Sequence, residues 1–338
     1  LTWADRCEDV AFNSLPAAFT SDMKALRYLT APNMPQADKE PKKPGIQNGG
    51  NMYEMNPHDH RCCQHNAGHG WPYYAQNLWY ATPGNGLAAI LYSASQVTAM
   101  VGDGTEVTIK EDTRYPFEEK VEFTVSANRQ VRFPLYLRIP AWCENPGVRI
   151  NGERAEVQAD PRSYIKINRV FNDGDKITLT LPMEVEVKEW ARNKNSVSVY
   201  YGPLAFSLKI DERYEQSGGT EKWPAWEIYP ASPWNYGLEL KEGQPEASFE
   251  VIKRGWPESN MPFTPDNAPI QLKASARRIP EWQLDDNGLV RELQQSPVKT
   301  TQPEEEITLV PMGAARIRIS AFPTVSTLED ANVWREKR

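Results

Sequence analysis

The sequence predicts a mainly β protein: a short helical segment followed by two antiparallel β-sandwiches. Two observations carry this. Up to about residue 83 the apolar residues fall on helical stripes, whereas from Gly86 onward they alternate with polar ones, the period of a half-buried strand. Turn-forming clusters then divide the alternating runs at short intervals: Gly102-Asp103-Gly104, Asn151-Gly152 and Asn172-Asp173-Gly174-Asp175. Short strands with regular turn signals read as sandwiches, and the chain has no internal repeat.

The elements follow in order. Residues 2 to 15 read as an amphipathic helix, with Thr2 and Asp5 as a capping box and Pro16 ending the run. Trp3, Cys7 and Val10 lie on one stripe, with Glu8 beside it. Residues 30 to 57 are rich in Pro, Gly, Asn and Lys and read as a long irregular loop, a feature usually tied to function. Gly70-Trp71-Pro72 opens a second helix over 71 to 81, stopped by Thr82-Pro83-Gly84-Asn85-Gly86.

Strands are expected at 87–93, 96–101, 105–111, 119–127, 131–139, 164–168 and 176–181. A second β block begins near Val185 and includes 196–210, a Trp- and Pro-rich insertion at 213–245, strands near 247–253 and 269–276, and a closing run at 307–322. The expected domains are therefore 1–83, 84–184 and 185–338. A segment with only two helices cannot bury a core of its own. That, and a first residue that is not Met, leads us to expect further sequence upstream.

Composition narrows the function. A net charge of -7 among 338 residues offers no electrostatic surface for nucleic acid. No apolar run is long enough to span a bilayer. Four cysteines do not make a disulfide scaffold. Eleven tryptophans and fourteen tyrosines supply faces suited to sugar rings, although such residues mostly fill cores. Trp223, Trp226 and Trp234 could serve as a sugar platform or as packing.

Chemistry concentrates in one place. Residues 55 to 70 hold all four histidines, His58, His60, His65 and His69, together with the adjacent pair Cys62-Cys63. Thiolates are the strongest side-chain nucleophiles and the softest metal ligands. Imidazoles bind metals or move protons near neutral pH. Adjacent cysteines rarely bond to each other, because the geometry is strained. No Cys-x-x-Cys pair is present, so a metal site here needs ligands from elsewhere in the fold.

Several phrases resemble one family in its own order: His60-Arg61-Cys62-Cys63; Leu137-Arg138-Ile139-Pro140-Ala141-Trp142-Cys143; Tyr201-Gly202-Pro203-Leu204-Ala205; Leu309-Val310-Pro311; and Arg318-Ile319-Ser320-Ala321-Phe322. The chain resembles the C-terminal half, or slightly more, of glycoside hydrolase family 127, the β-L-arabinofuranosidases. The resemblance implies the end of an (α/α)6 barrel followed by two β-sandwiches. It implies a retaining hydrolase in which a zinc-bound cysteine attacks the anomeric carbon and a glutamic acid protonates the leaving oxygen.

By the same resemblance, Cys62 is the nucleophile and a zinc ligand, and Cys63 a second zinc ligand. His60, Glu8 and Tyr28 contact the sugar. Two further zinc ligands, in a Glu-x-Cys motif, and the proton donor would lie upstream of Leu1, so the chain alone is expected to be inactive. Cys7 and Cys143 carry no role. The expected partner is an arabinose-containing glycan, without nucleic acid or membrane. A homodimer is compatible with the reading, and the compartment stays open between bacterial periplasm and cytoplasm. The rival readings are a non-catalytic carbohydrate-binding or structural β-sandwich protein, and a structural zinc site without catalysis.

Overall fold

The structure is a computed structural model and describes residues 1–42, 50–56, 61–157 and 159–335. Strands hold 42% of the residues and helices 13%, so the chain is mainly β. It divides into two compact units. The first is Leu1–Ala11 with His69–Glu184; the second is Phe12–Gly68 with Val185–Arg338.

The first unit is a sandwich. One sheet runs 95–101, 105–113, 120–127, 176–180, 147–150, 153–154; the other runs 163–171, 131–139, 86–89, 79–82. All neighbours are antiparallel except 86–89, which lies parallel to 131–139. Alternation fixes the inner face: Val107 and Ile109, Val121, Phe123 and Val125, and Phe133, Leu135 and Leu137 are all buried. Trp79 meets Phe123 edge-on at 5.7 Å, joining the two sheets. The Asn151-Gly152 turn closes a hairpin between Gly147–Ile150 and Glu153–Arg154, with φ of 52° and 86° at its two central residues. Positive φ at both is what Asn-Gly supplies most readily.

The second unit is built on a seven-stranded antiparallel sheet in the order 185–190, 196–201, 204–208, 304–311, 270–278, 236–238, with 249–253 also pairing onto 270–278. Glu212–Gly219 and Pro224–Pro230 form a hairpin. Trp282 is fully buried between Trp234, at 5.4 Å, and Trp334, at 6.1 Å.

The helical segments differ from expectation. Helix Thr2–Asp9 continues through a π-helical stretch, Val10–Ser14, into Leu15–Ala17, past Pro16. Proline at a first-turn position loses no hydrogen bond. The capping box is absent: Leu1 is the N-cap, with no side-chain hydrogen bond. The apolar stripe faces outward, with Trp3 77% and Val10 56% exposed, and the one fully buried side chain of the helix is Glu8. The second helix begins at Cys62 rather than near 71, runs to Gln76 and contains Pro72, while Trp79–Thr82 is a strand. Pro72 lacks the N–H that would bond the carbonyl of Gly68, and the helix continues through that defect.

Candidate active site

In the second unit a narrow strip of backbone leads to the cysteine pair. Residues 52–54 lie between two neighbours. Glu54 exchanges backbone hydrogen bonds with Leu26, at 2.9 and 3.0 Å, and Tyr53 does so with Trp226, at 2.9 and 2.7 Å. The buried Tyr53 hydroxyl reaches the carbonyls of Ala17 (2.8 Å) and Arg316 (3.1 Å). Arg27 lies over the Tyr53 ring at 5.2 Å and donates to the Arg316 carbonyl at 2.9 Å. Arg316, 1% exposed, donates to the carbonyls of Pro16, Phe19, Phe263 and Gly313. A guanidinium's fixed fork suits it to gathering several carbonyls at once.

Earlier residues of the same unit are tied to distant parts of it. Asn33 takes the N–H groups of Ser320 and Ala321 and donates to the Ala321 carbonyl at 2.8 Å. Asn13 donates to Pro203 (3.0 Å) and accepts from the Ala205 N–H (2.9 Å). Asp38 and Lys42 form a buried ion pair at 2.6 Å, and Asn51 accepts the Asp38 N–H.

Cys62 and Cys63 occupy the first turn of helix Cys62–Gln76. Their sulfurs are not bonded to each other; Cys62 is exposed and Cys63 half-buried. Gln64 donates to the Met55 carbonyl, folding the start of the helix back on residues 52–55. The first turn of a helix carries unpaired N–H groups that favour an anion. Burial raises the pKa of the Cys63 thiol, and the neighbouring Cys62 raises it further.

Among the described residues no group of three or more His, Cys, Asp or Glu could hold a metal. The pair can supply two soft ligands, but the described residues do not complete a tetrahedral site.

Glu8 lies in the first unit, buried to 1% exposure, in an ion pair with Arg138. Arg138, fully buried, also meets Asp5 at 2.7 Å. Burial raises the Glu8 pKa, against the pull of Arg138 and a hydrogen bond from Tyr115. A sugar could reach this carboxylate only if the pair opened. Sequence reading did not single out Arg138; the available signal was a lone cation inside the apolar run Leu135–Ile139.

Tyr28 is half-buried two residues beyond the Leu26 bridge. His58 and His60 lie outside the described residues. His65 is exposed, and His69 stacks on Tyr73 at 5.2 Å. Trp234 is core, whereas Trp223 and Trp226 are half-buried on the hairpin, Trp226 edge-on to Tyr214 at 5.8 Å. Cys7 is half-buried with its pKa raised, chiefly by burial. Cys143 is buried and pushed up to about 12, a poor nucleophile. No helix among the described residues is long and apolar enough to cross a membrane.

Residues 86–183 match the family described as beta-L-arabinofuranosidase, GH127 middle domain. No curated protein sequence matches the chain. Among solved structures it is similar to a GH127 β-L-arabinofuranosidase from Geobacillus stearothermophilus T6, with 22% identity and a TM-score of 0.62, over 96% of this chain and 46% of that one. It is also similar to a protein described as a glycoside hydrolase (20%, TM-score 0.66, 96% and 49%) and to a GH127 β-arabinofuranosidase (17%, TM-score 0.60, 95% and 46%). The chain thus spans just under half the length of each of these proteins. Residues 86–183 thus match the GH127 middle domain, and over nearly its whole length the chain has the fold of the C-terminal portion of these GH127 proteins.

Proposed function

We propose that this chain is the C-terminal portion of a retaining glycoside hydrolase that releases L-arabinose from β-L-arabinofuranosides, with Cys62 as its nucleophile. The observation that carries the reading is the GH127 middle domain beginning ten residues after a helix whose first residue is an exposed, unbonded cysteine.

The chemistry has two displacements at one carbon. The Cys62 sulfur, as thiolate, forms a bond to the anomeric carbon while the bond to the leaving oxygen breaks. The leaving oxygen takes its proton from an acid supplied outside residues 1–338. Water, giving its proton to the conjugate base of that acid, then attacks the same carbon, the carbon–sulfur bond breaks with its electron pair returning to sulfur, and two inversions give net retention. Cys62 and Cys63 together would hold a zinc ion completed by ligands from outside the chain; when bound, that ion stabilises thiolates that neighbouring negative charge disfavours. His60 and Tyr28 are the proposed sugar contacts. Glu8 is proposed for the same role, its carboxylate held by the pair with Arg138.

The test compares this chain with the same chain joined to its upstream sequence, on an aryl β-L-arabinofuranoside. Hydrolysis by the longer protein, lost in Cys62→Ser with the fold intact, supports the reading. Full activity in Cys62→Ser, or sugar binding without hydrolysis by the longer protein, refutes it, the latter in favour of a binding module.

A further inference from the structure

Glu111 is a buried carboxyl that the proposed chemistry does not use. It lies on strand Thr105–Thr113 at an inward position, 1% exposed, with Ser95 opposite on one side and Phe123 on the other. Its Oε1 accepts the Ser93 N–H at 3.1 Å, and its Oε2 lies 3.0 Å from Ser95 Oγ. Ser95 Oγ in turn accepts the Trp79 indole N–H at 3.1 Å.

Among the described residues no lysine, arginine or histidine pairs with Glu111. The titratable groups that feel its charge are Tyr74 and Tyr92. Arg138 lies 6.0 Å from the Tyr92 ring and is engaged with Glu8. Burial outweighs the two hydrogen bonds and lifts the Glu111 pKa to about 8. The neutral acid can donate its own O–H to Ser95 Oγ while its other oxygen accepts the Ser93 N–H.

The segment Glu111 holds has a second tenant. The Tyr92 carbonyl accepts the hydroxyl of Tyr74, at 3.1 Å, and Tyr74 is the buried residue of helix Cys62–Gln76. The Tyr92 hydroxyl donates to the Arg138 carbonyl at 2.5 Å.

We propose that Glu111 is a positioning residue for helix Cys62–Gln76: its buried neutral carboxyl fixes residues 92–95, on which Tyr74 is anchored, and its ionisation loosens that anchor. The sign follows from linkage. A carboxyl whose folded pKa is raised contributes stability that is full below the ordinary value of 4.5 and lost as pH rises toward 8. Over that window, opening of 92–95 releases one proton, so it becomes about tenfold easier per pH unit and levels off above the folded pKa.

The experiment is amide hydrogen exchange on the 338-residue chain, read as protection factors at residues 74–78 and 92–96 across pH 6 to 9, for the unaltered chain and Glu111→Gln. The glutamine amide reproduces the acid's hydrogen bonds and cannot ionise. Protection in the unaltered chain should fall about tenfold per pH unit up to about 8 and then flatten, while Glu111→Gln stays flat. Equal slopes in the two proteins, or no slope in the unaltered chain, overturn the proposal. Should Glu111→Gln fail to fold, the carboxyl ¹³C shift of Glu111 in the unaltered chain decides: titration below pH 6 refutes the proposal, and titration near 8 supports it. The consequence for the cysteines rests on the proposed glycosidase reading, but the exchange measurement reads the anchor itself and stands or falls without it.

Discussion

Arg138, next to the last residue of strand Val131–Ile139, forms a buried ion pair with Glu8 on helix Thr2–Asp9. The pair explains why that helix turns its acidic face inward and leaves Trp3 and Val10 exposed. Removing one partner strands a buried charge, which typically costs about 3–5 kcal/mol, while replacing both by apolar residues of similar size costs far less. In urea unfolding, Glu8→Leu and Arg138→Met should each destabilise by about that amount. The double variant should recover most of the loss. Additive losses would show that the two side chains do not act as a pair.

Gly313 gives a second prediction. A Cβ there would meet Pro16 Cγ at 2.6 Å, Phe263 Cδ1 at 2.7 Å and the Phe12 carbonyl at 2.9 Å. These are core contacts with little room to relax, so Gly313→Ala should destabilise by about 1–3 kcal/mol. Hydrogen exchange should show residues 12–19 loosening first. Unchanged protection there would contradict the close approach.

Much of the fold was legible because a strand with one buried face repeats every two residues. The run Val131, Phe133, Leu135, Leu137 shows that period directly, and Asn151-Gly152 announces its own turn. The helical part was harder, because its rule is reversed: Glu8 is inside and Trp3 outside, a choice made by Arg138 more than a hundred residues away. Pro72 suggested a helix start and instead lies within one.

The cysteine pair stood out by composition alone. The family-like phrases prove to be wiring: Arg138 pairs with Glu8 and Asp5, Pro203 and Ala205 are read by Asn13, and Ser320 and Ala321 by Asn33. Such long-range partners have no local signature.

A pH prediction follows from Asp175. Burial pushes its pKa up, but the Asn172 N–H (3.0 Å), the Asn151 amide (2.8 Å) and the charge of Arg169 outweigh it and hold the pKa below the ordinary 3.8. A depressed carboxylate contributes stability above its unfolded pKa and loses it as pH falls through the folded value. Asp175→Asn should therefore be less stable at pH 7 by about 1.5–3 kcal/mol, the worth of hydrogen bonds to a charge. The gap should narrow as pH drops below 3.8. A gap independent of pH would mean that packing, not charge, is what the substitution removes.

Cys62 is the proposed nucleophile of a GH127-type hydrolase. A haloacetamide of L-arabinofuranose, added to the protein joined to its upstream sequence, carries an electrophile to whichever thiol faces the sugar. Mass spectrometry of the digest should place one adduct on Cys62, with loss of hydrolysis in step with labelling and none on Cys63, Cys7 or Cys143. An adduct on Cys63, or complete labelling of Cys62 with hydrolysis intact, would contradict the account.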